Sequence, residues 1–580
     1  MTKLVMLQKI VFTLIICCML IGYQSHAGMV SDSNDRFLNK TICNPVDISY
    51  RFGLDKPSRR EAADPTVINF KDEYYLFASK SGGYWYSSDL IDWKFIPTDE
   101  FPTEDYAPTV VAIEDTIYFL ASSNKIYKST DLKAGKWKVA GLLPFSVVDP
   151  ALFLDDDKRL YLYWGCSDKN PIYGIELDYK NSFKPIGDPV SLIFGNPKEH
   201  GWEVPGDYNT LYSNSPWIEG AWMNKFNGKY YLQYANPGTQ FKSYSDGVYT
   251  SDSPMGPYKL AVHNPFAYKP EGFAAGAGHG STFADKYGNY WHIGTITISS
   301  KHMFERRLGL YPTFFDSDGI LYTNTKFGDY PIIVPQKKIE RFEEIFPGWM
   351  LLSYRKKVTV SSSVDSHPST FITDENIHTY WAAQSGNDTE WASVDLGAKY
   401  DVYAVQINFA EHNTNIFGRK DNLCYQYVVE CSMDNKNWKV LIDKSNNTTD
   451  NSHEYSQLDN KVNCRFLRIK NIKIPGGNFA LSGFRVFGKG NGDKPAAVDQ
   501  LNITRNPNDK RSVQLTWKKS EKATGYNINY GIDKNKLYHN YVVYQDTTVT
   551  INSLNAKQDY YFTIEAFNEN GITTNKILVK

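Results

Sequence analysis

The sequence predicts an all-β chain, a five-bladed β-propeller followed by two β-sandwich domains. Three observations predict it. A unit of lead residue, strand, polar turn and aromatic strand is written five times between Glu61 and Tyr330. Beyond residue 350 the pattern changes to alternating strands around Trp381, Trp391 and Trp438. Turn residues are frequent throughout, and no long helical period appears.

The five units begin at Asp64, Ala107, Asp149, Glu219 and His279. They read DPTVINFKDEYYLFA, APTVVAIEDTIYFLA, DPALFLDDDKRLYLYW, EGAWMNKFNGKYYLQY and HGSTFADKYGNYWHIG. Asn227-Gly228 between two β-like runs is a hairpin signal, and Asp155 to Asp157 make a turn by the same logic. A strand–turn–strand unit cannot bury both faces alone, so neighbours must stack around an axis, one blade per unit. In a propeller the first strand of each blade lines the central channel. Equivalent lead positions then converge near one mouth of it. Three of the five leads carry carboxyl groups: Asp64, Asp149 and Glu219.

The remaining segments follow in order. Lys3 and Lys9 precede an apolar run, Ile10 to Ile21, and a small-residue site at Ser25-His26-Ala27. This is the pattern of a secretory signal peptide over residues 1–27 and predicts export, to the periplasm, the cell surface or the medium. The run is too short for a membrane span. The propeller is expected over 45–345, a first sandwich over 351–490 and a second over 495–580, with a Gly/Pro/Lys linker at Gly488 to Ala497. In the last block Leu554 stands six residues before Tyr560, the spacing of a tyrosine corner. The linker predicts a last sandwich that acts as an independent spacer. Five cysteines remain beyond residue 27, an odd number that argues against a disulfide framework.

Composition excludes some functions. A net charge of −1 gives no electrostatic case for nucleic acid. No phosphate-binding loop, zinc-type Cys/His cluster or Gly-x-Ser-x-Gly elbow is present. Aromatic residues reach 15%, with 41 Tyr and 13 Trp. Most of that excess suits β-rich cores, though Trp85 and Trp222 lie where an aromatic face can meet a sugar ring. His279 and Arg307, from the Arg306-Arg307 pair, are the further substrate-contact candidates. Asp before Pro is by itself a common turn device, so the carboxylates gain meaning only as a set.

The motifs ADPT at Ala63 to Thr66, VVDPAL at Val147 to Leu152, IEGAW at Ile218 to Trp222 and GAGHGS at Gly276 to Ser281 resemble glycoside hydrolase family 43. The block from Leu351 to Gly488 resembles a discoidin-type domain, and the last block resembles fibronectin type III. The first resemblance implies Asp64 as general base, Asp149 as the residue that orients the pair and tunes the acid, and Glu219 as general acid. It also places His279 near the channel, where some relatives hold calcium. No cofactor is required, with a structural calcium as the one candidate ion. Discoidin-like sugar modules that bind calcium carry an acidic residue in the last strand. Here that strand reads ALSGFRVFG, which weakens a calcium site around Asp374 and Asn376. The implied activity is an exo-acting, inverting hydrolase releasing terminal arabinofuranose from oligo- or polysaccharide, with carboxyls about 6.5–9.5 Å apart. The same family includes β-xylosidases, endo-arabinanases and galactan- or galactofuranose-cleaving enzymes. A non-catalytic glycan-binding surface protein is the alternative from another class.

Overall fold

The computed structural model describes residues 39–575 and 577–580, so the expected signal segment over 1–27 lies outside the described residues. Among the described residues no α-helix occurs, only four short 3-10 turns. No helix there is long and apolar enough to cross a membrane.

Five four-stranded antiparallel sheets make the propeller. Their innermost strands are Ala63–Phe70, Thr109–Ile113, Ala151–Leu154, Glu219–Phe226 and Ala275–Ala284. Each packs on the innermost strand of the next blade, and the fifth returns to the first, closing the ring. The repeated sentence of the sequence is thus the inner hairpin of each blade. Asn227 and Gly228 take positive φ, as the tight turn between Phe226 and Lys229 requires.

Hydrophobic cores lie between blades, one for each neighbouring pair. Phe77, Tyr84, Phe101, Phe119 and Trp137 fill the space between blades 1 and 2. Their rings meet tilted or edge-on at 4.2 to 6.5 Å, apart from the stacked Phe77–Tyr84 pair. Such pairs add about 0.5–1.5 kcal/mol each beyond area burial. Trp85 belongs to the cluster between blades 5 and 1, with Val67, Leu76, Trp291 and Leu308, and is fully buried.

Residues Met350–Lys489 form the eight-stranded sandwich, built on two long strands, Trp391–Phe409 and His453–Lys473. Of its three tryptophans only Trp381 is in the core; Trp391 and Trp438 are half-buried. Trp438 instead lies under the Arg468 guanidinium, 4.1 Å from the ring centre. The last sandwich has sheets of three and four strands. Its expected tyrosine corner is present: the Asn555 N–H donates to the Tyr560 hydroxyl at 3.1 Å, beside buried Leu554. All five cysteines of the described residues are free thiols.

The independent-spacer expectation fails at the contacts of this last sandwich. Trp202 of the propeller is fully buried and donates its indole N–H to Asn555 at 2.8 Å. Tyr322 and Tyr538 stack at 3.7 Å, and Lys536 bridges to Asp316 at 2.8 Å. A polar linker composition says how the chain leaves one domain, not whether the next one docks.

Candidate active site

The five lead positions share one backbone device. Asp64, Ala107, Asp149 and His279 all hold φ between 42° and 52°, in the left-handed region. In blade 4 the equivalent residue is Gly220, at φ 57°, not Glu219. Register shifts beside Asp64, Gly220 and His279 mark bulges that turn the strand start toward the channel. The lead N–H is then tied to a side chain of the preceding blade. Asp64 donates to Thr295 Oγ1 (2.9 Å), Ala107 to Ser79 Oγ (2.8 Å), Asp149 to Ser122 Oγ (3.1 Å) and His279 to Asp246 Oδ1 (2.7 Å). Strain of about 1–3 kcal/mol per residue is held in place by this ring of bonds. Glu219 therefore sits one residue before the repeat position, and its longer side chain covers the offset.

Gly220 has a specific reason to lack a side chain. A Cβ there would stand 2.5 Å from the ring of His279. The imidazole lies across the glycine and directs Nδ1 at two carboxylates, 3.3 Å from Asp64 Oδ1 and 3.8 Å from Asp149 Oδ2.

Asp64 is buried, and it accepts from Ser79 Oγ at 2.6 Å and from Arg306 Nη1 at 3.0 Å. Burial alone would raise its pKa, but Arg306 and His279 overcome this and hold it below the usual carboxylate range. Arg306 in turn is held by Glu61 at 2.8 Å and by Thr239 Oγ1 at 3.3 Å. Asp149 has the opposite character. Burial pushes its pKa up to about 7, Glu219 and Asp64 add to the rise, and His279 opposes it. Burial would make His279 harder to protonate, yet Asp64, Asp149, Glu219 and Asp246 more than offset this and raise its pKa.

Glu219 is half-buried, with both carboxyl oxygens occupied by donors. The Tyr244 hydroxyl bonds Oε1, and the Cys166 thiol lies 3.2 Å from Oε2. Ligand atoms of Asp149, Cys166 and Glu219 all lie within 4.8 Å of one another. Burial and the two carboxylates push the Cys166 thiol far up, so it stays protonated and donates.

The three carboxylates and His279 thus meet at one channel mouth, with Arg306, Tyr244, Cys166 and Asp246 added by the structure. The weak sequence trace of Arg306 was its place beside Arg307, but strand alternation turns the two apart. Arg307 is 2% exposed and reaches the first sandwich, not the channel. Trp85, in the interblade core, is equally remote from the mouth. Trp222 spends its indole N–H on the Thr282 carbonyl at 3.0 Å, tying blade 4 to blade 5. Closer to Asp64, the half-buried rings of Tyr106 and Phe304 lie 5.9 Å apart, with Arg306 over both. Trp217, two residues before Glu219, is 45% exposed.

Calcium does not fit these residues. It takes six to eight oxygen ligands, whereas His279 offers a ring nitrogen already committed to Asp64 and favours the cationic form. The described group of three acidic or sulfur ligands includes the Cys166 thiol, a soft donor. In the first sandwich, Asp374 spends Oδ2 on Thr379 at 2.6 Å and Oδ1 on the Asn376 N–H at 3.1 Å.

The model of glycosyl hydrolases family 43 matches residues 57–321, the propeller and all four residues named above from its repeats. Residues 57–321 are a family 43 glycosyl hydrolase domain. The F5/8 type C domain matches 357–483 and the fibronectin type III domain 495–577. Three curated relatives are similar in part. A beta-D-galactofuranosidase of Aspergillus niger is 26% identical over 270 residues, 40% of this chain and 72% of that one. A beta-xylosidase of Xylanibacter ruminicola is 29% identical over 133 residues, 19% of this chain and 39% of its own. An arabinoxylan arabinofuranohydrolase of Paenibacillus polymyxa is 29% identical over 160 residues, 25% and 22% respectively. The chain therefore spans well under half the length of two of these three relatives.

Proposed function

We propose that the protein is an exported, inverting glycoside hydrolase that removes terminal arabinofuranose residues from oligo- or polysaccharides. The observation that carries the reading is the split between two buried carboxyls at one mouth. Asp64 is held ionised, while Asp149, beside Glu219, retains a proton up to about pH 7. Environments that push two carboxyl groups apart mark the base and the proton-holding end of the site, and the choice of Glu219 at that end as the acid is what the family resemblance implies. Asp64 takes a proton from water as the water attacks the anomeric carbon. Glu219 gives its proton to the departing glycosidic oxygen, oriented by Tyr244 and Cys166. Asp149 keeps a proton available at that end of the site, and His279 and Arg306 supply the positive charge that keeps Asp64 a base. One displacement by water inverts the anomeric centre.

Exo action is the part of the reading that the family resemblance alone supports. Exposed Trp217 offers a face for the sugar beyond the cleaved bond. The apolar run and Ser-His-Ala site support export. The galactofuranosidase relative, with the longest match, favours galactofuranoside as the second reading, since both substrates are five-membered rings.

The test is a screen of aryl α-arabinofuranoside, β-xyloside, galactopyranoside and galactofuranoside, with proton NMR early in turnover. The reading predicts the fastest release from arabinofuranoside and first appearance of the anomer opposite to the substrate. No release from any of them, or retention, contradicts it.

A further inference from the structure

Two strands of the propeller serve two places at once. The strand Arg60–Glu61 and the start of the strand Arg306–Phe315 each turn one residue toward the channel and its neighbour the opposite way. On the channel side Glu61 accepts from Arg306, and Arg306 reaches Asp64. On the far side Arg60 and Arg307 enter the discoidin-like sandwich. Arg60 Nε donates to Glu411 at 2.8 Å, and its Nη groups donate to Asp450 at 2.6 and 2.8 Å. Arg307 Nε donates to His453 Nε2 at 2.9 Å, and its Nη1 donates to the Arg60 carbonyl at 2.6 Å. Lys301, in the loop leading into Arg306, donates to the Glu411 carbonyl.

The chemistry of this junction is specific. His453 Nδ1 lies 2.9 Å from Asn408 Oδ1 and Nε2 faces a guanidinium, so the ring is neutral with Nε2 as acceptor. Burial first, then Arg307 and Arg60, keep it from protonating. Arg60, Arg307, Glu411 and His453 are each at most 5% exposed. Arg306 itself has a buried Nε without a partner. Its position toward Asp64 therefore rests on its Nη contacts and on where its strand lies.

We propose that the discoidin-like sandwich is a working part of the catalytic site. Through Glu411 and His453 it anchors Arg60 and Arg307, and through the alternate residues of the same strands it sets Glu61 and Arg306 against Asp64. Glu411 and His453 are positioning residues. They touch no substrate. The proposal rests on the reading of Asp64 as the base.

The experiment uses the full chain with His453→Leu, His453→Gln and Glu411→Gln, assayed on a small aryl arabinofuranoside that cannot span the sandwich. Displacement of a catalytic group by about 1 Å costs about 100-fold. His453→Leu and Glu411→Gln should lower kcat by about 10- to 100-fold with KM little changed. The acidic limb of the kcat/KM profile should move to higher pH, because Asp64 loses Arg306. His453→Gln, which still offers Arg307 an acceptor, should recover most of the rate. Unfolding midpoints separate this from a merely supporting role. A lowered midpoint with an unchanged pH profile and kcat overturns the proposal, as does a raised KM at constant kcat, the mark of a binding subsite. Asp64→Asn in the same assay tests the reading beneath it. Full activity in that variant refutes the base assignment whatever the sandwich variants do.

Discussion

At the residue scale the site is a division of charge. Asp149 takes a pKa of about 7 against an ordinary value near 4 because burial penalises its ionised form. Between these values the folded protein holds a proton that the unfolded chain has released. The stability tied to that proton is present at low pH and lost as pH rises through about 7. Asp149→Asn should therefore raise the unfolding midpoint at pH 8, by the equivalent of roughly 4 kcal/mol, and change it little at pH 4. Equal shifts at both pH values would show that the group is not carrying that proton. The same substitution should lower activity on unactivated glycosides. Cys166 is the residue no motif announced, because a lone cysteine just after an apolar strand reads as core. Its thiol is a weak donor kept protonated by burial and by the carboxylates around it. Iodoacetamide at pH 8 should leave activity unchanged, and Cys166→Ser should stay within about 3-fold. Rapid inactivation by the reagent would make the thiol an exposed nucleophile instead. The carboxylates were legible because Asp-Pro and Glu-Gly recur at repeat positions. The substrate contacts were not. Trp85 lies on the third strand of its blade and Arg307 on the side of its strand away from the channel, and the sequence shows neither the strand's place in the blade nor the face a residue takes.

At the element scale the working unit is the start of each inner strand, bulged in blades 1, 4 and 5. Four residues with side chains hold left-handed φ there, and the fifth is Gly220. The five-fold repeat was plain in the sequence from its aromatic strands. Its exact phase in blade 4 was not, because Glu219 looks like the lead residue until the backbone shows it one position early. The glycine carries the His279 ring on its face. Gly220→Ala would add about 1–3 kcal/mol of backbone strain and drive a methyl into the imidazole. A fall in kcat of about 10-fold or more and a lower unfolding midpoint are expected. A variant with wild-type kcat would mean that the position of His279 against Asp64 does not matter.

At the scale of the whole molecule, three domains share buried surfaces. The two sandwiches were readable as folds from strand spacing, the tyrosine corner and the linker. Their docking was not, because interface residues such as Trp202, Asn555 and His453 have the composition of ordinary domain interiors. Truncation after Gly490 strips the cover from Trp202 and Tyr322. It should yield a chain that aggregates in size-exclusion chromatography and unfolds at lower temperature. A monomeric, fully active truncation would restore the last sandwich to the rank of spacer. The central claim, that the propeller gathers a base and an acid from blades far apart in sequence, is tested most directly by kcat/KM for Glu219→Ala and Asp64→Ala. Each is measured on an unactivated arabinofuranoside and on an aryl glycoside whose phenol leaves without a proton. General acid help is worth about 10²–10⁴-fold. The account predicts that Glu219→Ala loses most of that factor on the unactivated substrate and far less on the aryl one, while Asp64→Ala loses heavily on both. Equal losses for Glu219→Ala on the two substrates, with Asp64→Ala sparing the aryl glycoside, would contradict it.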